Sequence, residues 1–194
     1  MSHRVRKSIL VGLVLLFACA IVFVPSEAYC GARQVADFQL KDTKGQLHTL
    51  KSYAGRIVVL VFWSYKCPVV LAANQQFNAF QAKYEGKGIT LLGVDSSSNE
   101  TPEEISRNAA HLKITFPILI DSDKVLASNL RATHAPTLFV IDRDGEVRYQ
   151  GAFDNNKKEG SKDREPYADN AIDDLLAGKS PRVAETKAFG CIIP

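Results

Sequence analysis

Four cysteines in 194 residues are too few for a disulfide-dense miniprotein. Twelve glycines and eight prolines exclude a collagen. With 46% hydrophobic and 23% charged residues the chain does not belong with disordered sequences, and its length suits one principal domain plus extensions. Acids are missing from the start: Arg4, Arg6 and Lys7 precede the first one, Glu27. The formal charge of +3 is therefore mostly local, and without residues 1–28 it falls to +1. That leaves no case for a nucleic-acid-binding surface. The four histidines, His3, His48, His111 and His134, show no metal-ligand spacing. There is no glycine-rich phosphate loop, no haem attachment motif and no arrangement of Ser, His and Asp that would support a triad. Neither a metal nor a cofactor is expected.

What is present begins with a leader. Ile9 to Val24 is uncharged and apolar, Pro25 ends it, and Ser26-Glu27-Ala28 places small residues three and one positions before a cut. Residues 1–28 are expected to be a signal peptide. An uncleaved anchor is the alternative, although 16 residues fall short of the roughly 20 that span a bilayer. Lipidation at Cys19 is a third option, against which Phe17 and the apolar run Ala20 to Val24 argue. Each option exports the domain, to the periplasm or the outer face of the membrane, with membrane contact only through the N-terminal segment. Cys30, Cys67 and Cys191 then face an oxidising compartment, and their odd number leaves one thiol free, reactive or paired with another molecule.

Residues 34–178 read as one continuous domain, followed by a tail over 179–194. Phe38–Leu40 and Leu47–Leu50 flank the turn at Lys44-Gly45 and predict an N-terminal hairpin. Ile57–Phe62 (IVVLVF) is a strand buried on both faces, and Ile89–Val94 a second. Pro68–Tyr84 reads as a helix with Val70, Ala73, Phe77 and Phe80 on its apolar stripe. Thr101 caps another helix, running from Pro102 to about Leu112. Phe116–Ile120 is a short strand and Val125–Leu130 a short helix. Thr137–Ile141 and Val147–Gly151 flank the turn Asp142-Arg143-Asp144-Gly145. Asn155–Glu165 is a polar surface loop, and Tyr167–Leu176 a last helix. The tail has no strong periodicity. The order implies an α/β fold with a central mixed sheet flanked by helices.

Cys67 follows a buried strand and immediately precedes a helix-starting proline. A helix N-terminus, with its unpaired N–H groups and dipole, favours a thiolate there, and Lys66 adds positive charge. The thiolate is the nucleophile in disulfide exchange and in attack on peroxide, so Cys67 is the candidate nucleophile. A small buried hydrophobe is the plain alternative.

Phe62-Trp63-Ser64-Tyr65-Lys66-Cys67 resembles the Phe-Trp-x-x-x-Cys segment of thioredoxin-like proteins. The hairpin from Phe38 to Gly55 resembles the start of exported AhpC/TSA-like redoxins, and Thr133–Thr137 stands where that fold keeps a cis-proline loop. Cys67-Pro68-Val69-Val70, Tyr149-Gln150-Gly151 with Asp154, and Thr186–Ile192 (TKAFGCI) together resemble a peroxiredoxin-like subgroup with Cys-Pro-Val and a C-terminal Gly-Cys-x-Ile. The resemblance implies a thioredoxin-like fold and a thiol-dependent oxidoreductase. Two departures matter. Position 70 is Val70, so no Cys-x-x-Cys disulfide can form, and the buried acid that thioredoxins carry six residues before the cysteine is Val61.

The resemblance also implies supporting roles. Cys191 is the candidate resolving thiol, with a structural bridge to Cys30 or a free tail thiol left open. Pro136 is placed as the cis-proline and Ala135 as the backbone that pairs with an extended substrate. Arg131 would stabilise a thiolate or peroxide, or else simply close a short helix. Ser64 would hydrogen bond toward the cysteine, or else to its own loop, and Trp63 would gate the thiol or fill the core edge. His134 stands beside the cis-proline. The expected partners are a peroxide or a disulfide-containing protein substrate and an external thiol reductant. A non-catalytic protein-binding module on the same scaffold is the competing class.

Overall fold

The computed structural model describes residues 33–155 and 162–194. The predicted leader, Cys19, Cys30 and residues 156–161 of the polar loop lie outside the described residues. In chain order the elements are β1 (Arg33–Gln34), β2 (Gln39–Lys41), β3 (Leu47–Thr49), a 3-10 turn (Leu50–Tyr53), β4 (Ile57–Phe62), α1 (Pro68–Tyr84) and β5 (Ile89–Asp95). These are followed by α2 (Pro102–His111), β6 (Ile118–Ile120), α3 (Val125–Leu130), β7 (His134–Ala135), β8 (Leu138–Ile141), β9 (Glu146–Gly151), α4 (Tyr167–Leu176) and β10 (Cys191–Ile192).

The uniformly apolar β4 is buried at every position and lies near the middle of a six-stranded sheet, ordered β1-β9-β8-β4-β5-β6. It runs parallel to β5 and antiparallel to β8, so the sheet is mixed, as the sequence predicts. The hairpin β2–β3 lies beyond β6, where Thr43 N–H donates to Ile118 O at 3.1 Å. It thereby covers an edge that would otherwise offer unpaired backbone groups. Within the hairpin, His48 and Asp42 are buried against each other, with Nε2 and Oδ2 3.1 Å apart, and Nδ1 of His48 meets the Tyr53 hydroxyl.

Helix α1 starts at Pro68, whose missing N–H costs nothing at a first helical position. Its buried face is Val70, Asn74, Phe77, Phe80 and Tyr84. Phe77 and Phe80 both meet Phe153 edge-on, with ring centroids 5.2 and 5.5 Å apart. The cap of α2 is a full capping box: Glu104 N–H donates to Thr101 Oγ1, and Thr101 N–H donates to the Glu104 carboxylate.

Two expectations change. The strand expected from Phe116 begins at Ile118, because Pro117 has no N–H to give a ladder; its carbonyl instead accepts from Gly93 N–H at 2.8 Å. The tail, which shows no period, forms strand β10 against β7, a pairing of two residues that is too short to leave a pattern. The described residues belong to one compact unit.

Candidate functional site

Strands β4 and β5 end side by side, and the loops leaving their carboxyl ends build a cavity of about 220 Å³. Ligand sites of open α/β sheets characteristically form outside this end of the strands. Cys67 is the N-cap of α1 and is 1% exposed, with its own N–H donating to Ser64 O at 3.3 Å. No side chain caps this helix, so its first-turn N–H groups and dipole act on the Cys67 position.

Cys67 is joined to Cys191 by a disulfide across 124 residues, with Cα atoms 5.8 Å apart. This excludes, for this state, the bridge from Cys191 to Cys30 that the sequence leaves open. The tail reaches Cys67 through two anchors. At the first, Thr186 N–H donates to Gln150 O and Gln150 N–H donates to Ala184 O, both at 3.0 Å. Thr186 Oγ1 accepts from Ala152 N–H at 3.0 Å and lies 2.7 Å from the Tyr149 hydroxyl. Glycine is needed at 151 because a Cβ there would lie 2.3 Å from Thr186 Oγ1. Tyr149–Gly151 and Thr186, far apart in sequence, are thus parts of one contact.

At the second anchor, Cys191 pairs with Ala135 and Ile192 with His134 in antiparallel register, and Ile193 N–H donates to Thr133 O at 3.0 Å. Gly190 has φ +149°, and a Cβ there would lie 2.1 Å from the Ala135 carbonyl oxygen. The Ala135–Pro136 bond is cis, and Cys67 Sγ lies 3.2 Å from Ala135 O. The tail therefore occupies the backbone edge that the resemblance reserves for an extended substrate.

The other expected residues divide. Trp63 is buried beside the cavity, and its Nε1–H donates to Asn74 Oδ1 at 2.9 Å, so it serves core and cavity wall together. Ser64 lines the cavity but turns its hydroxyl away from Cys67, donating to Glu100 Oε1 at 2.5 Å and accepting from Lys66 N–H at 3.1 Å. Of the two roles that the sequence leaves open for Ser64, the bond within its own loop is the one seen, and the bond to Glu100 is added to it. Lys66 Nζ donates to Asn99 O at 2.5 Å at the cavity rim. Arg131 ends α3 in the left-handed region with φ +55° and is exposed; it is not among the residues lining the cavity. The helix-closing alternative is the one its position matches. His134 directs Nδ1 to Thr133 Oγ1 at 2.8 Å.

Sequence reasoning missed two buried acids at this end of the sheet. Asp95 ends β5 and is 1% exposed; Glu100 lines the cavity and is 5% exposed. Burial, and next the charge of Glu100, push the Asp95 carboxyl up to about 8. Glu100 stands just before a helix cap, where an acid ordinarily reads as solvated, so no signal in the sequence marked it.

A model of the AhpC/TSA family matches residues 32–150. The chain is 30% identical over 126 residues to Thiol-disulfide oxidoreductase ResA of Geobacillus kaustophilus, covering 65% of this chain and 71% of that protein. It is 29% identical over 120 residues to Protein DipZ of Mycobacterium bovis, covering 57% of this chain but only 17% of that longer protein. Among solved structures, a hypothetical protein from Sinorhizobium meliloti 1021 superposes with a TM-score of 0.75 at 27% identity, covering 84% of this chain and 92% of that one. The fold is thioredoxin-like.

Proposed function

This chain belongs to the AhpC/TSA family, and on that premise we propose that it is an exported thiol-disulfide oxidoreductase whose redox couple is Cys67 and Cys191. The observation that carries this reading is the Cys67–Cys191 disulfide held with β10 on the edge of β7. In the reduced protein the Cys67 thiolate attacks a disulfide in an extended segment of a protein substrate. The S–S bond of the substrate breaks, one substrate sulfur bonds Cys67 Sγ, and the other leaves as a thiolate. Cys191 then attacks the Cys67 sulfur and expels the remaining substrate thiolate. Because Cys191 arrives on a strand that pairs with Ala135, resolution and displacement of the substrate strand are one event. An external thiol reductant restores the dithiol. Cys191 thus takes the part that a cysteine at position 70 would play. Export is supported by the leader over residues 1–28 and by the need of such a couple for a compartment where disulfides persist.

A second reading is favoured by one observation, the 1% exposure of Cys67 beneath a cavity of about 220 Å³, which suits a small oxidant. A hydroperoxide would oxidise Cys67 to a sulfenic acid, and condensation with Cys191 would release water and form the same disulfide. The first reading is favoured by the Ser64 hydroxyl, which is given to Glu100, and by the exposure of Arg131, which does not line the cavity.

The test is a competition. Fully reduced protein is exposed to one equivalent of hydrogen peroxide or of a peptide disulfide, and the products are mapped by mass spectrometry with time. Faster formation of Cys67–Cys191 from the peptide disulfide, lost in Cys67→Ser, is the expected result. Faster formation from peroxide selects the second reading. A Cys67 that stays unmodified by both makes the chain a non-catalytic binding module.

A further inference from the structure

The tail that carries Cys191 shows what the edge of β7 accepts. A substrate strand and the tail cannot lie on β7 together, and each presents a sulfur to Cys67, so an incoming strand meets the same walls. Cys191 stands opposite Ala135, Ile192 opposite His134, and Ile193 N–H donates to Thr133 O at 3.0 Å. The bond to Cys67 sets the place of the cysteine, and the β7 backbone sets the register of its neighbours. An antiparallel strand whose cysteine is bonded to Cys67 falls in this same register, position by position.

The position before the cysteine is the most restricted. Gly190 has φ +149°, a conformation that L residues rarely adopt. A Cβ there would lie 2.1 Å from the Ala135 carbonyl oxygen, 2.7 Å from its carbon and 3.0 Å from Pro136 Cδ. These atoms belong to the body of the fold and not to the tail. Two are backbone and the third is in a proline ring, so none can swing aside as a flexible side chain would. The obstruction stays when another strand takes the place of the tail.

The positions after the cysteine alternate, as residues of a strand do. Ile192 is 75% exposed. Ile193 is half-buried and packs against the hydrophobic core. Pro194 is exposed, and its carbonyl accepts from Ser98 Oγ at 3.2 Å. A backbone carbonyl is common to every residue type, so this last contact selects nothing. We propose that the substrate of Cys67 carries its reactive cysteine in a Gly-Cys-x-apolar segment, with glycine imposed by Ala135 and Pro136 and an aliphatic side chain two positions after the cysteine. The residue between them is open to any type. The proposal rests on Cys67 attacking a disulfide in an extended protein segment, the reading given above.

In the exchange the Cys67 thiol gives its proton to solvent, and its thiolate bonds the sulfur of the substrate cysteine. The substrate S–S bond breaks, and its electron pair leaves with the other sulfur as a thiolate. The substrate disulfide is itself the oxidant. A strand with alanine before its cysteine reaches Cys67 only by drawing away from Ala135, which weakens its hydrogen bond to Thr133 O and misplaces its sulfur. A strand with an acid in the place of Ile193 brings a charge against apolar neighbours without a partner.

The test places the substitutions in synthetic peptides, so the pattern is probed without disturbing the fold of the protein. Each peptide copies Ala188–Pro194 and carries its cysteine as a mixed disulfide with thionitrobenzoate. The leaving thiolate is then the same throughout, and its release by the reduced full chain is followed by absorbance. Rates are divided by those of the same peptides with glutathione, and the part lost in the Cys67→Ser chain is the reaction at Cys67. The Gly190→Ala and Ile193→Asp peptides are each expected to react roughly tenfold or more slowly than the parent peptide. The Ile192→Lys and Ile193→Leu peptides are expected to stay within about threefold of it. A parent-like rate for either of the first two, or a tenfold loss for either of the last two, overturns the proposal. Parent-like rates that vanish in Cys67→Ser defeat only the pattern, whereas rates that Cys67→Ser leaves unchanged defeat the nucleophile itself and the pattern with it, which keeps the two failures distinguishable.

Discussion

Cys191 sits directly across the strand pair from Ala135, so the residue bonded to Cys67 is presented by backbone pairing as well as by its sulfur. The disulfide and the strand support one another: pairing holds the sulfur in place, and the bond tethers the strand to Cys67. Four predictions follow from this geometry and from the core behind it.

Cys191→Ser removes the resolving thiol but leaves β10 free to dock. Cys67 is then expected to accumulate as a mixed disulfide with a peptide substrate, seen as a mass adduct on Cys67. Steady-state turnover should fall roughly tenfold or more, because release then depends on an external thiol. Turnover equal to that of the parent protein would show that Cys191 does not resolve.

Gly190→Ala places a Cβ against the Ala135 carbonyl at a φ of +149°, which L residues rarely adopt. The oxidised protein should lose about 1–3 kcal/mol of stability. Formation of the Cys67–Cys191 disulfide should slow, while the initial alkylation of Cys67 in the reduced protein is unchanged. Quenched-flow alkylation and mass mapping separate the two steps.

Asp95 predicts a pH dependence of stability. In the folded chain its carboxyl keeps a proton up to about pH 8, raised first by burial and then by Glu100, whereas its ordinary value is 3.8. Between about pH 4 and pH 8 the folded state therefore binds more protons than the unfolded state. Stability from this group is full below the ordinary value and is lost as the pH rises through that window. Melting of the oxidised protein should show a Tm that falls from pH 5 to pH 8, with a flatter course in Asp95→Asn. A slope identical in the two proteins would remove Asp95 as the cause.

Phe77→Ala should cost about 3–5 kcal/mol, since the ring, on the buried face of α1, is fully buried against Phe153. Thr101→Ala should cost only about 1 kcal/mol, the loss of one cap. Urea unfolding of the oxidised forms distinguishes the two, and comparable losses would mean that the α1 packing is misassigned.

Much of this was legible in the sequence because it is written locally. The run IVVLVF suits a strand buried on both faces, and Pro68 with an apolar residue every three or four positions marks α1 from Pro68 to Tyr84. Thr101-Pro102 with Glu104 specifies a capped helix start, and the cysteine between strand and helix follows from these signals alone. The position of Cys67 at a helix N-terminus was determined by the sequence itself.

Tertiary structure decided the rest, because it depends on contacts between distant segments. Two-residue strands carry no period, so nothing local announces that Cys191 lies on Ala135. Whether Cys191 meets Cys67 or Cys30 is a question of where the tail is led, and Thr186 on Gln150 and Gly151 leads it. Ser64 and Arg131 had the right residue types, but burial of Glu100 turned the serine hydroxyl away and the end of α3 left the arginine in solvent. Asp95 and Glu100 look like ordinary acids in the sequence. Only the fold buries them, and it is desolvation first, and next the charge of Glu100, that pushes the Asp95 carboxyl up.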